Sequence, residues 1–301
     1  MSEFNYGGQA VIEGVMMRGA KYMTVAVRSP TGEIIVHSEP LNAKIYGGRI
    51  SKLPFLRAMI MLWDTLVLGI RTLLFSADVA LEEEEIEFSG PIAWGSVAFS
   101  LIISIGVFLL GPLFLVGLVD RYIASPLVSN ILEGLVRLGF FLVYVYVIGF
   151  IPDIRRVFAY HGAEHETINA YEGGAPLEPD AVKAYGTAHP RCGTGFTLLF
   201  AVIAIMVFSL FGRPTLVLRI LSRLVLIPVI AGLTYELIKF SAARRDNPLI
   251  RVLVITPSLA LQRLTTREPD ESMLEVAITA LQRLLDIEEG GLEERASGVA
   301  E

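Results

Sequence analysis

Long apolar stretches constrain this chain more than any other feature, because such runs are stable only in a large core or a bilayer. Ser96 to Val119 contains no charged residue and stops at Asp120-Arg121. Leu138 to Ile151 is also uncharged and extends back through Arg137, whose side chain can snorkel toward an interface. Gly193 to Gly212 lies between Arg191 and Arg213. A fourth run goes from about Pro214 to Ile238, with Lys239 at its end. Arg219 and Arg223, near its start, are expected to face water or headgroups. Pro112 and Pro228 fall inside two of the runs and need neighbours to satisfy the carbonyls they free.

Composition agrees. Hydrophobic residues make up 53% and charged residues 19%, with mean hydropathy +0.58. A soluble domain carries roughly a quarter charged residues. The net charge of -6 argues against nucleic acid, which calls for a basic footprint. One cysteine, Cys192, cannot form an internal disulfide. The N-terminal residues show no basic segment followed by an apolar one, so no cleaved signal peptide is expected.

With four spans, both termini and the loop 152–194 share one side. Arg155, Arg156, Lys239, Arg244 and Arg245 flank spans there, which makes that side cytoplasmic. Phe55 to Phe75 is different. Its only charges, Arg57, Asp64 and Arg71, recur every seven residues and so share one narrow helical stripe. A helix lying in the interface, its stripe toward protein, suits that pattern better than a span with a buried aspartate.

Ahead of it, residues 23–28 and 33–38 alternate about a Ser29-Pro30-Thr31-Gly32 turn, which reads as a hairpin containing His37. The run Glu82 to Glu85 with Glu87 reads as a solvated connector. The expected architecture is therefore a mainly α polytopic membrane bundle of about four transmembrane helices. An interfacial amphipathic helix and a small N-terminal β-hairpin region complete it. The segments are 1–54 (glycine-rich segment and hairpin), 55–90 (interfacial helix and connector) and 91–246 (bundle). They are followed by 247–287 (membrane-proximal segment and amphipathic helix) and 288–301 (disordered acidic tail).

Chemistry concentrates in the loop. His161-Gly162-Ala163-Glu164-His165 places two imidazoles one helical turn apart, able to reach one ion, with Glu164 beside them as a proton acceptor. His189 and Cys192 are the leading further ligands, and Glu172 and Glu236 the weaker ones. Three of the four histidines and the only cysteine fall within residues 161–192, which favours a metal over scattered interfacial histidines. A second constellation, Gly7 to Gly19, has four glycines and could line a polar site with Gln9, Glu13 and Arg18. The plainer expectation is a folded turn with Glu13 and Arg18 paired. Thr265-Thr266-Arg267-Glu268-Pro269-Asp270 is a helix entry, with a box-like Thr265-x-x-Glu268.

The segments GGQAVIEGVMMRG, YHGAEHETINAYE, AHPRCGTGF and QRLTTREPDESMLEVAI together resemble the bacterial YqhQ family. The resemblance implies an inner-membrane protein with a suspected metal site of unestablished reaction. His161, Glu164, His165, His189 and Cys192 match its HGAEH and HPRC motifs. Glu166 and Gly195 depart from it, standing where lysine and serine are expected. The reading is a zinc-dependent hydrolase at the cytoplasmic face of the bilayer. The alternative is a non-catalytic scaffold or assembly factor that binds other membrane proteins and holds any metal structurally. A transporter ranks third, since the spans carry few polar residues at mid-depth.

Overall fold

Turn residues divide the N-terminal segment into short alternating strands. In this computed structural model, which describes residues 6–41, 56–81, 90–212, 214–242, 244 and 247–296, they form one antiparallel sheet. Its order is β1 (Gly7–Val11), β2 (Gly14–Arg18), β3 (Tyr22–Arg28), β4 (Ile34–Pro40). The expected hairpin is β3–β4, with Gly32 at φ +90° in its turn. The glycine-rich segment is a second hairpin: Val11 pairs with Gly14 across Ile12-Glu13, and Glu13 takes φ +50°. That conformation costs a non-glycine residue about 1–2 kcal/mol.

Side-chain parity assigns the two faces of the sheet. Val11, Met16, Met23, Val25 and Val27 pack with Leu68 and Val79 of α1 (Leu56–Ala80). Val15, Met17 and Ala26 face the other way, into a core shared with α5 (Pro152–Glu172) and α11 (Glu271–Ala296). The sheet is thus a middle layer between helices. The charged stripe of α1 turns toward it: Asp64 lies 4.0 Å from Arg18, and Arg71 lies 3.9 Å from Glu39. Trp63 and Leu66 are exposed on the helix.

The apolar helices follow. α2 (Gly90–Ile105) passes through a π-helical turn, Gly106–Leu110, into α3 (Gly111–Val119). Then come α4 (Pro126–Ile148), the short α6 (Pro179–Val182) after α5, α7 (Gly193–Ser209) and α8 (Leu216–Ala242). Short α9 (Pro248–Ile250), a π-helical turn and α10 (Thr256–Thr265) lead to α11. Four helices among the described residues are long and apolar enough to cross a membrane: Ala58–Ala80, Trp94–Tyr122, Pro126–Ile148 and Leu216–Ser241. The number matches expectation but the membership does not. The helix assigned to the interface qualifies by length and composition, whereas α7 is a shorter apolar helix.

Four further expectations are corrected. Arg137 does not snorkel. Pro112 has no N–H for the carbonyl one turn back, and Arg137 Nε donates to that Phe108 carbonyl at 2.9 Å. Arg219 and Arg223 are buried, and Arg223 grips Glu133 of α4 through two hydrogen bonds of 3.3 and 3.1 Å. Residues 288–296 continue α11 instead of starting a disordered tail, because Glu288 is buried and accepts from the Lys21 amide at 2.8 Å and the Tyr6 hydroxyl at 3.2 Å. Asp270, not Thr265, caps α11, accepting from the Met273 amide at 3.0 Å. The acidic run 82–87, Arg213, Arg245, residues 297–301 and the Arg57 side chain lie outside the described residues.

Candidate metal centre

The histidine motif lies on α5, which runs from the end of α4 into the core of the sheet module. Gly162 is required there: a Cβ would collide with the Arg267 carbonyl. That close approach brings the α10–α11 connection against the helix. It also sets the first imidazole, since His161 Nδ1 lies 2.9 Å from the Thr265 carbonyl. His165 Nδ1 lies 2.5 Å from the Thr187 carbonyl. A carbonyl only accepts, so each Nδ1 directs a proton at its carbonyl, and in the neutral ring each Nε2 keeps the lone pair that a metal would take. The two rings are 4.4 Å apart between centroids.

Cys192 comes to them from the start of α7. As the residue before the helix, its sulfur accepts from the Thr194 amide at 3.5 Å, and Sγ lies 3.2 Å from His161 Nε2. One ligand atom from each of His161, His165 and Cys192 falls within 4.8 Å of the others. Two imidazoles and one thiol, with the outer imidazole nitrogens held by carbonyls, fit the donor set and outer-shell support of a zinc site.

His189 is near but turned aside. Its ring lies 5.5 Å from that of His165, and Nε2 faces Glu172 at 3.9 Å and the Arg191 guanidinium at 3.5 Å. Arg191 and Glu172 form a close ion pair beside it. Burial first, then the charges of His165 and Arg191, push the His189 pKa down to about 3. Glu172 is thus a partner of this pair, and Glu236 sits in α8, outside the three-residue cluster.

Glu164 is buried, with Oε2 3.4 Å from His165 Nε2. Burial raises its pKa to about 7, opposed by the charge of His161 and the Gly8 amide. Gly8 is where the glycine-rich strand touches the site, since a Cβ there would stand 2.9 Å from Glu164 Cγ. Glu166 is pushed up to about 8 by burial and then by Glu268.

Gln9, Glu13 and Arg18 do not converge. Gln9 and Arg18 share the sheet face toward α1, where Gln9 Oε1 packs on Gly69 and Arg18 bonds Thr65 Oγ1 at 3.0 Å. Glu13 lies at the hairpin tip and pairs with Arg156 through two contacts of 2.5 Å, while Tyr160 donates to it at 3.3 Å. These α5 contacts, not Arg18, hold its side chain, and the Arg28 amide of β3 donates to its carbonyl at 2.8 Å.

Sequence reasoning missed Gln262. It is buried, accepts from the His189 amide at 3.1 Å and donates to the His189 carbonyl at 2.6 Å, so it clamps the loop before Cys192. No local pattern marks a glutamine for that role. A cavity of about 300 Å³ opens beside Cys192 and Arg191, continuing along Leu199 of α7 and Ile238 of α8.

Comparison with known proteins gives one family. The model for a protein of unknown function (DUF1385) matches residues 53–287. An uncharacterized protein, YqhQ of Bacillus subtilis (strain 168), is 35% identical over 296 residues, covering 94% of this chain and 93% of its own. No solved structure matches the chain. The family model covers most of the chain and the relative nearly all of it, so the chain belongs to the YqhQ family of proteins of unknown function (DUF1385).

Proposed function

We propose that this protein is a zinc-dependent hydrolase of the bacterial inner membrane. In this reading His161, His165 and Cys192 hold the metal, and the termini and site are cytoplasmic. The observation that carries it is the pair of Nδ1–carbonyl contacts, which leave both Nε2 atoms available beside Cys192 Sγ. Arg155, Arg156, Lys239 and Arg244 at that end of the helices support the orientation. A bound divalent ion would supply Lewis acidity, polarising a carbonyl or phosphoryl oxygen and acidifying water. Glu164 Oε2 is placed to take a proton next to His165. The Gly8 amide orients that carboxyl, and the Cys192 cavity, where Leu199, Ile238, Val254 and Ile255 meet Arg191, Ser241 and Ser258, suits an amphipathic substrate. His189 turned to Glu172 and Arg191 supports a three-ligand set, the number that catalytic zinc sites use, and so the enzyme over the scaffold.

Elemental analysis of the purified full-length protein tests this. About one zinc per chain is expected, lost in His161→Ala and in Cys192→Ala. Metal content unchanged by both substitutions overturns the proposal. Glu164→Gln should keep the metal and fail to complement a strain lacking the gene.

A second reading rests on the 3.2 Å contact between His161 Nε2 and Cys192 Sγ, which also suits a thiol nucleophile with its base at a helix N-terminus. Cys192→His separates the two. It keeps three metal ligands but removes the nucleophile, so activity retained in that variant favours the metal and activity lost with metal retained favours the thiol.

A further inference from the structure

Far from the histidines, the apolar helices enclose charges that the site chemistry does not use. Glu133 of α4 is shared by Arg137, at 2.7 Å, and Arg223, at 3.1 Å. Arg137 also donates to the Phe108 carbonyl, and Arg223 lies 4.0 Å from the centre of the Phe208 ring. Neither neutral partner cancels a charge, so two guanidiniums and one carboxylate keep a positive surplus. Arg219, one turn before Arg223, is also buried and adds to it, and its Nε has no hydrogen-bond partner among the described residues.

The surplus lies deep. Arg137 is eleven residues from either end of Pro126–Ile148, and Phe108, whose carbonyl it holds, is fourteen from either end of Trp94–Tyr122. At 1.5 Å per residue Arg137 leaves its helix roughly 16 Å from each end, near the middle of a hydrocarbon core about 30 Å thick. A surplus cation at that depth is costly without an anion, and lipid headgroups stay outside the core. An anion that belongs there is a carboxylate carried on a membrane-spanning helix.

Both guanidiniums border a cleft of about 410 Å³. α4 and α7 pack together as its floor, with α2 and α8 as its sides. Apart from the guanidiniums, Ser104 and Thr197, its wall is apolar, and Leu101, Leu224 and Ile227 at its rim are exposed toward lipid. The Arg137 side chain is 21% exposed and that of Arg223 3%, so Arg137 is the charge that an occupant would meet.

We infer that this cleft docks a transmembrane helix of a partner membrane protein, one that carries an aspartate or glutamate near its middle and sets that carboxylate on Arg137. Charge complementarity at matched depth selects this occupant. A second copy of this chain does not supply the acid: among the described residues, Asp64, Asp78, Asp120 and Glu236 each lie within six residues of a span end, and Glu133 is already engaged. The partner's carboxylate would balance the surplus and leave the Glu133–Arg223 pair intact. The site is independent of the metal reading.

Energy transfer between the labelled full-length protein and labelled peptides in dioleoyl phosphatidylcholine vesicles tests the assignment. The probes are a lysine-flanked transmembrane peptide of about 20 leucines and alanines with one central glutamate, and its twin with glutamine there. The wild type should bind the glutamate peptide about tenfold more tightly, the worth of one charge-assisted hydrogen bond. Arg137→Met should abolish that preference. Ala201→Trp, which fills the cleft and touches no charge, should release both peptides, and it decides the matter if Arg137→Met does not purify as a single species. Equal binding of the two peptides by the wild type, or none, overturns the proposal, as does a preference that survives Ala201→Trp. Energy transfer between two labelled copies of the protein that is lost in Ala201→Trp would place a second copy in the cleft, and overturns it too.

Discussion

In the sheet module apolar side chains point inward, and in the membrane-type helices most of them point outward. Leu274, Ala277, Leu281 and Leu284 of α11 are fully buried against Tyr160, Ala163 and Ile168 of α5. Phe99, Ile102, Phe114, Leu118, Val143 and Val225 are more than half exposed. Among the described residues, the buried apolar cluster of the bundle is small: Ala204, Phe208 and Ile230, with partly buried neighbours. Water drives the first arrangement through burial of apolar area. Lipid removes that drive in the second, so packing and polar contacts must specify how the helices meet. The bundle's fixed points are accordingly Glu133, Arg137, Arg223 and Asn130, residues that a soluble core would exclude.

This contrast can be broken most strongly at Glu133. Both Glu133 and Arg223 are nearly inaccessible, at 2% and 3% side-chain exposure. Glu133→Ala leaves Arg223 without its anion and should cost about 3–5 kcal/mol in reversible unfolding from detergent. The triple variant Glu133→Leu, Arg137→Met, Arg223→Met should recover most of that loss, because removing the whole buried group is far cheaper than removing its one carboxylate. A loss in the triple variant as large as in the single one would mean that the charges are not the fixed point.

Apolar truncation should show the opposite pattern. Leu281→Ala in the module should cost about 2–5 kcal/mol through its cavity. Leu118→Ala, at 56% exposure toward lipid, should stay within about 0.5 kcal/mol. Similar melting shifts for the two would erase the distinction between the regions. Gly162→Ala probes how the module's packing serves the site. The added methyl meets the Arg267 carbonyl, so the α10–α11 connection must retreat at about 1–3 kcal/mol. The Thr265 carbonyl retreats with it, and zinc content should fall although no ligand has been touched. Full zinc occupancy in a destabilised Gly162→Ala would show that His161 does not need that carbonyl.

The same physics explains what could be read from the sequence. Helical spacing fixed His161 and His165 on one face, and their clustering with Cys192 pointed to a shared site, because both follow from chain geometry. The choice between His189 and Cys192 was not legible, since it depends on Arg191 and Glu172 drawing the His189 ring aside. Strand parity explains why Glu13 does not pair with Arg18 as its spacing suggests. Arg18 faces α1 with Gln9 and Met16, while the hairpin tip reaches Arg156 on α5. Uncharged runs place the second span from Leu138 and leave Glu133 outside it. The i,i+4 spacing of Glu133 with Arg137 was the available signal, and Arg219 with Arg223 repeats that interval on α8.

Helix caps give the smallest test, one in each region. Asp270 accepts from the Met273 amide at 3.0 Å at the start of α11, whereas Ser125 accepts from the Val128 amide at only 3.5 Å at the start of α4. Asp270→Ala should cost about 1 kcal/mol, and Ser125→Ala less. Burial pushes the Asp270 carboxyl up, but hydrogen bonds from Ser272 and Met273 and the charge of Arg156 outweigh it and hold the group below its usual range. A folded pKa below the unfolded value near 3.9 means that the ionised cap stabilises fully above about pH 4 and loses its effect as pH falls through the lowered value. The gap in melting temperature between wild type and Asp270→Ala should therefore be constant from neutral pH to about pH 5 and narrow only below pH 4. A gap already shrinking at pH 6 would place the titrating group elsewhere in the module, and Ser125→Ala, which removes no charge, should show no such trend.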